Sequence, residues 1–157
     1  MEIKFKSVKE QQVAYIIATG HCNQIPKIFG KLMVYIAKNS INTTGHPYCT
    51  FFNNTLEVPP EELHYEIGIP VIGDVPGEDM IKIKKTRGHQ VISTICNESS
   101  EYTEQLYHNL MEYAVKNRYL ISGPATEIYI TDSLEVSQSE PSVEVRFPVI
   151  KKINIRL

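Results

Sequence analysis

The sequence predicts an α+β fold: a tandem duplicated β-α-β-β repeat with pseudo-twofold symmetry. Its antiparallel sheet is expected to carry two helices on one face and a ligand groove on the other. Three observations predict this fold. Residues 3–72 align with residues 81–150 at a fixed offset of 78 without a gap, and 20 of the 70 aligned pairs are identical. Each copy shows strand spacing followed by helix spacing. The segment between the copies is rich in Gly, Pro and acidic residues, which is typical of a linker.

The elements follow from the spacing of apolar residues in each copy. Alternation around Ile3 and Phe5 and over residues 13–17 predicts strand structure, and residues 81–83 and 91–95 repeat it. Apolar residues spaced by three and four predict amphipathic helices over residues 25–36 and 102–114. Each helix runs into a Lys-Asn pair and a later Gly, which are stop signals. Residues 47–53, 63–72, 125–131 and 142–150 are predicted to be strands, so each copy is interpreted as β-α-β-β.

The chain is expected to form a single domain over residues 1–157, with copies at 3–72 and 81–150 and a linker at 73–80. A copy of this length buries too little surface to be stable alone. Two copies related by a pseudo-twofold axis would join their sheets, and a groove would form where they meet. Concave junctions of this kind favour small-molecule sites.

Composition excludes several classes of protein. The hydrophobic fraction is 42%, but no apolar run approaches the roughly 20 residues of a membrane span. The net charge of −2 argues against a nucleic-acid-binding surface. Three cysteines without a CxxC pair and five scattered histidines predict no metal site. No cofactor, signal peptide or membrane contact is expected, so the predicted location is cytoplasmic. The basic residues Lys82, Lys84, Lys85 and Arg87 are interpreted as the solvated face of a strand.

Glu127 breaks the symmetry between the two copies. Strand alternation places Glu127 and Tyr129 on one face, while Ile128 and Ile130 on the other face are expected to pack toward the helices. Glu127 and Tyr129 would then project into the groove, where the equivalent residues of the first copy are Cys49 and Phe51. A carboxylate flanked by aromatic rings suits a cationic or polarised ligand. The alternative is a solvated glutamate on the sheet surface.

Three further tyrosines, Tyr15, Tyr48 and Tyr102, are expected to reach the groove. Tyr35 and Tyr113 are equivalent in the two copies and are expected to pack in the core. Cys49, with His46 three residues earlier, is a candidate nucleophile, although a cysteine at such a strand position usually acts as a small hydrophobic residue.

The chain resembles the GyrI-like small-molecule-binding superfamily, which includes the effector-binding domains of AraC-type and MerR-type regulators. The resemblance extends over residues 3–150. It is carried by the order and spacing of residues 13–16, 45–48, 66–71 and 110–113 and by Phe147-Pro148-Val149. Its most specific motif is Gly123-Pro124-Ala125-Thr126-Glu127-Ile128-Tyr129-Ile130-Thr131-Asp132. It implies a groove with aromatic walls, in which Glu127 meets amphiphilic, often cationic ligands. It also implies that similar folds can be hydrolases of strained electrophiles. The chain departs from the pattern in lacking Trp and in carrying Arg146 where an aromatic residue is common.

Three functional hypotheses remain open. The first is a stand-alone ligand-binding module that senses or sequesters a small molecule and acts with a protein partner, such as a regulator, in trans. It would not bind nucleic acid directly, since the repeat leaves no residues for a helix-turn-helix. The second is a hydrolase in which Glu127 activates water and a groove tyrosine donates a proton. The third is a module that binds a protein partner without any ligand.

Overall fold

A computed structural model describes residues 2–53, 57–96, 103–130 and 142–152 and shows an α+β fold with antiparallel strand pairing. Two strands precede each helix, where the sequence pattern indicates one, and an extra short strand follows each helix. In chain order the strands and helices are β1 Lys4–Val8, β2 Gln11–Thr19, α1 Ile25–Lys38, β3 Asn42–Thr43, β4 Tyr48–Phe51, β5 His64–Ile72, β6 Lys82–Thr86, β7 His89–Cys96, α2 Thr103–Lys116, β8 Tyr119–Ile121, β9 Thr126–Ile130 and β10 Ser142–Lys151.

Contacts divide the chain into two units that differ from the predicted copies. Residues 9–87 form one unit, called here the first unit, in which the strand order is β4-β5-β2-β6 and β3 pairs with β5. Residues 1–8 and 88–157 form the second unit, in which the order is β1-β7-β10-β9 and β8 pairs with β10. The first strand of each copy therefore pairs within the unit built mainly from the other copy.

The connection between β1 and β2 is the dipeptide Lys9-Glu10, which lacks the Gly, Asn and Asp residues that two-residue hairpin turns favour. The residues Lys4–Val8 of β1 pair with Ser93–His89 of β7. In the first unit, β6 takes the position beside β2.

Both helices end at the lysine of the predicted Lys-Asn stop, which confirms that prediction. Asn39 and Asn117 donate side-chain hydrogen bonds to the carbonyls of Tyr35 and Tyr113, four residues earlier. The residue after each asparagine has a positive φ, 50° at Ser40 and 61° at Arg118, so neither helix continues.

The core of the second unit lies between α2 and its strands. Leu106, Leu110 and Ala114 form the buried stripe of α2, and they pack against Ile92, Val145, Phe147 and Val149. In the first unit α1 buries Ile28, Leu32, Tyr35 and Ile36. Neither described helix is both long enough and apolar enough to cross a membrane.

Candidate functional site

Glu127 lies at the centre of a carboxylate and tyrosine cluster in the second unit. The Tyr107 hydroxyl, on α2, donates to Oε2 of Glu127 at 2.6 Å, and the Tyr129 hydroxyl, two residues along β9, donates to Oε1 at 3.1 Å. All three residues are half-buried. Each carboxylate oxygen therefore accepts one phenolic hydrogen bond, and bonds to a charged acceptor are stronger than neutral ones.

The helix and the strand both contribute to this geometry. Tyr107 follows Leu106, which is buried against the sheet, so its ring lies at the margin of the apolar stripe of α2. The ring of Phe147, on β10, makes an edge contact with the Tyr107 ring at a centroid distance of 5.8 Å. This packing restricts the Tyr107 ring and keeps its hydroxyl directed at Glu127.

The predicted facing of Glu127 is wrong. Val145 lies directly opposite Glu127 in the pairing of β9 with β10, and Val145 belongs to the core cluster beneath α2. Together with the bond from Tyr107, this places the Glu127 carboxylate on the helix side of the sheet rather than on the opposite side. The hydrophobicity of Ile128 and Ile130 suggests otherwise, but the sheet also buries residues on its other face, such as Val91 and Glu144.

Among the described residues, Glu127 has no compensating cation. In the described ranges no Lys, Arg or His forms an ion pair with it, and its hydrogen bonds come from the two tyrosines alone. Two other glutamates that the folded chain buries, Glu66 and Glu144, each have a cation within 3 Å. The carboxylate of Glu127 is thus a half-buried negative charge that the described protein stabilises with hydroxyl dipoles only.

The structure brings together part of the predicted site. Glu127 and Tyr129 are in direct contact, whereas Tyr15, Tyr48, Cys49 and Phe51 belong to the first unit. The expected grouping of these residues around one groove therefore stays a prediction. Tyr102 lies outside the described residues.

Within the first unit, Tyr15 and Tyr48 belong to a cluster around Glu66. Tyr48 donates a hydrogen bond to Oε2 of Glu66 at 2.6 Å, and Lys84 lies 2.5 Å from Oε1. The interpretation of Lys84 as part of a solvated strand face is wrong, because its ammonium contacts a buried carboxylate and the ring of Tyr15. At the 78-residue offset Lys84 corresponds to Lys6, which also pairs with a glutamate.

Sequence reasoning missed Tyr107 and Glu66. At the 78-residue offset, Tyr107, Glu127 and Tyr129 correspond to Phe29, Cys49 and Phe51, so hydroxyl and carboxylate groups replace apolar ones at three positions together. These three differences, considered together, were the sequence feature that could have identified Tyr107 as a site residue. For Glu66, the signal was the identity of both Glu66/Glu144 and Lys6/Lys84 at the same offset.

Cys49 is fully buried on β4, and His46 lies in the exposed loop before that strand. Burial in apolar surroundings makes a thiol unreactive. In the native protein we expect a thiol reagent such as 5,5′-dithiobis(2-nitrobenzoate) to modify the exposed Cys22 rapidly and Cys49 only after unfolding. Mass mapping of the labelled peptides measures this. Rapid native labelling of Cys49 would instead restore it as a candidate nucleophile.

The side chains around Glu127 can also be compared with the ligands that a metal ion requires. Over the described residues, no group of three or more His, Cys, Asp or Glu side chains is placed to hold a metal ion. Glu127 has tyrosine hydroxyls as its neighbours, and these donate to its oxygens rather than share a cation. The cluster is therefore suited to charge recognition and to proton transfer.

Solved structures share this fold. The crystal structure of the EcmrR C-terminal domain matches with a TM-score of 0.84 at 17% identity, covering 96% of this chain and 98% of that one. A hydrolase encoded by lin2189 from Listeria innocua matches with a TM-score of 0.68 at 8% identity, covering 95% and 92%. The SAV2435 protein, solved with bound tetraphenylphosphonium, matches with a TM-score of 0.55 at 11% identity, covering 96% and 94%.

These identities are low, so the structural matches establish the fold alone. No curated protein matches the chain in sequence. The family model of the GyrI-like small molecule binding domain matches residues 1–150, nearly the whole length. The chain therefore belongs to the GyrI-like family of small-molecule-binding domains.

Proposed function

We propose that this domain binds amphiphilic cations, with Glu127 as the countercharge and the rings of Tyr107 and Tyr129 as aromatic walls. The observation that carries the proposal is a half-buried carboxylate bonded to two tyrosine hydroxyls, with no cation beside it in the described chain. A cationic ligand would supply the missing positive charge.

The two tyrosines can serve two purposes at once. Their hydroxyls hold the carboxylate in one orientation, which removes part of the entropy cost of fixing it around a ligand. Their aromatic rings can add cation–π attraction to a ligand, which contributes about 0.5–2 kcal/mol per contact. Such a site recognises charge and apolar bulk rather than a particular pattern of hydrogen-bond donors. This suits amphiphilic cations of varied shape.

The SAV2435 protein, which shares the fold, was solved with tetraphenylphosphonium, a bulky apolar cation. That ligand supports the choice of this compound as the first probe here. A domain that binds without converting its ligand would act by sequestering it, or by reporting it to a partner protein in trans. We include a duplicated β-α-β-β origin of the fold in the proposal, since residues 3–72 and 81–150 share 20 identities in 70 aligned pairs at one fixed offset.

Isothermal titration calorimetry with tetraphenylphosphonium chloride tests the proposal. We expect Glu127→Gln to weaken binding at least tenfold, because the neutral amide removes the countercharge, and tenfold corresponds to about 1.4 kcal/mol. Tyr107→Phe should weaken binding less, since it removes one hydroxyl and keeps the ring. Triphenylphosphine oxide, a neutral compound of related shape, should bind wild type and Glu127→Gln equally.

The matched control is Glu112→Gln, which makes the same charge change on the exposed face of α2. It should bind tetraphenylphosphonium as wild type does. Equal affinity of wild type and Glu127→Gln for tetraphenylphosphonium, with both proteins folded by circular dichroism, would contradict the role of Glu127.

The short Tyr107–Glu127 hydrogen bond favours a second candidate, hydrolysis of a strained electrophile. Glu127 would take a proton from water, the water oxygen would bond to the electrophilic carbon, and the strained carbon–heteroatom bond would break. Tyr107 would donate its proton to the leaving atom and recover one from Glu127. The hydrolase from Listeria innocua, similar in fold, supports testing it. Mass spectrometry of styrene oxide incubated with wild type and Tyr107→Phe measures diol formation. A wild-type rate equal to the buffer rate would count against this reaction for epoxides.

A further inference from the structure

The first unit contains a second carboxylate in an aromatic setting, and a lysine of the same chain occupies it. Glu66, on β5, is only 4% exposed. Its Oε2 accepts the Tyr48 hydroxyl at 2.6 Å, and its Oε1 lies 2.5 Å from Nζ of Lys84 on β6. The same ammonium lies 4.2 Å from the centre of the Tyr15 ring. Lys84 thus makes the charge contact and the cation–π contact that a bound amine would make.

Backbone register explains how the two tyrosines reach this carboxylate. Tyr15 on β2 and Tyr48 on β4 are both register partners of Gly68 on β5, so the three lie in one row on one face. Glu66, two residues before Gly68, shares that face. The Tyr48 ring lies directly over Gly68, where a Cβ atom would come within 2.4 Å of the Tyr48 hydroxyl oxygen. Glycine is therefore required for the Tyr48 hydroxyl to reach Glu66.

Tyr48 acts as a permanent donor in this cluster. Burial, followed by the charge of Glu66 and the hydrogen bond to it, raises the pKa of the Tyr48 hydroxyl well above its ordinary value. The hydroxyl therefore stays protonated and holds one oxygen of Glu66, while the other oxygen is left for a cation.

The second unit has the same ion pair without the aromatic residues. Lys6 lies 2.7 Å from Glu144. Arg146 stands at the position that corresponds to Gly68, and it adds a second cation at 2.6 Å from the same carboxylate. The positions of Tyr15 and Tyr48 are held there by Ser93 and Thr126. Only the first of these two clusters therefore combines one carboxylate, one cation and two phenol rings.

We propose that Glu66, Tyr15 and Tyr48 form a second cation site, suited to small primary alkylammonium ions, which the Lys84 side chain fills in the resting protein. The carboxylate provides a charged acceptor for an ammonium N–H group, and the Tyr15 face provides the cation–π contact. This proposal does not depend on the function proposed for Glu127.

Chemical complementation tests the site. Lys84→Ala removes the side chain beyond Cβ, and propylammonium replaces those atoms. We expect propylammonium chloride at tenfold excess over its dissociation constant to raise the melting temperature of Lys84→Ala by about 3–6 °C over sodium chloride of equal ionic strength. Wild type, whose site is filled, should show no such difference between the two salts.

Three variants supply controls. Lys82→Ala removes an exposed lysine from the same face of β6 and should not respond to propylammonium. Lys6→Ala empties the other ion pair, where Arg146 remains and Ser93 and Thr126 stand at the positions of the two tyrosines, and should respond much less than Lys84→Ala. In the Lys84→Ala background, Tyr15→Leu should weaken propylammonium binding about three- to tenfold, which is the value of one cation–π contact.

Two results would overturn the proposal. One is an equal response of Lys84→Ala and Lys82→Ala to propylammonium, which would show a general salt or solvent effect. The other applies if Lys84→Ala does not fold alone. Refolding yield is then compared in propylammonium and in sodium chloride, and no additional recovery in propylammonium refutes the site.

Discussion

Gly68→Ala is expected to destabilise the protein by about 2–4 kcal/mol, because the new methyl group must displace a buried tyrosine. The three atoms nearest to a Cβ at this position all belong to Tyr48, at 2.4, 2.5 and 2.7 Å. The ring cannot move away without losing the hydrogen bond from its hydroxyl to Glu66. A buried carboxylate oxygen without its donor then adds a desolvation cost to the steric one. Urea unfolding followed by circular dichroism measures the loss.

Gly30→Ala is the matched control for this prediction. Gly30 lies inside α1, and apart from its two chain neighbours and the backbone of that helix no atom lies within 4 Å of the position that a Cβ would take. The same chemical change should therefore stabilise the protein by about 0.5–1 kcal/mol, since alanine favours helix over glycine. If Gly68→Ala unfolded at the wild-type urea concentration, the close packing of Tyr48 over β5 would be refuted.

The apolar pattern predicted most of the elements but not the pairing of the strands. The stripes of α1 and α2 and their Lys-Asn stops are local features, so residues within one turn encode them. The pairing partner of β1 lies about 80 positions away in the chain, and the sequence around Phe5 and Lys6 does not indicate which strand that partner is. Identities at the 78-residue offset show which residues correspond to each other, but they do not show with which strands a given strand pairs.

The sequence predicted the two site residues on β9, Glu127 and Tyr129, but not the third, Tyr107, on α2. Glu127 and Tyr129 are two residues apart on β9, so alternation alone places them side by side. Tyr107 lies at the margin of a helical stripe, where a tyrosine is equally expected to pack passively or to donate a hydrogen bond. The predicted facing of Glu127 is wrong because hydrophobicity distinguishes the two faces of a sheet only when one face is exposed.

Glu144→Gln is expected to destabilise the protein by about 3 kcal/mol at pH 7. Glu144 is 6% exposed on β10, and it holds two cations, Lys6 of β1 and Arg146 of its own strand. A neutral amide leaves these two positive charges close together with no countercharge. The effect should exceed that of Glu112→Gln, which makes the same charge change at an exposed i,i+4 pair and should leave the unfolding midpoint unchanged. Equal midpoints for Glu144→Gln and wild type would refute the role of this ion pair.

The pKa of Glu144 determines how the stability difference between wild type and Glu144→Gln depends on pH. Burial alone would raise this pKa, but the hydrogen bonds and charges of Arg146 and Lys6 outweigh burial and hold it below the ordinary value of 4.5. A carboxyl group with a lowered pKa in the folded state stabilises the fold at every pH above its unfolded pKa. That stabilisation is lost as the pH falls through the lower, folded value. The free energy of unfolding of wild type minus that of Glu144→Gln should therefore stay constant from pH 7 to about pH 5 and shrink in more acidic buffer. Because the two proteins share every other carboxylate, urea unfolding of both at matched pH isolates Glu144. A difference that grew on acidification would mean that the folded pKa is raised, and that burial prevails over the two cations.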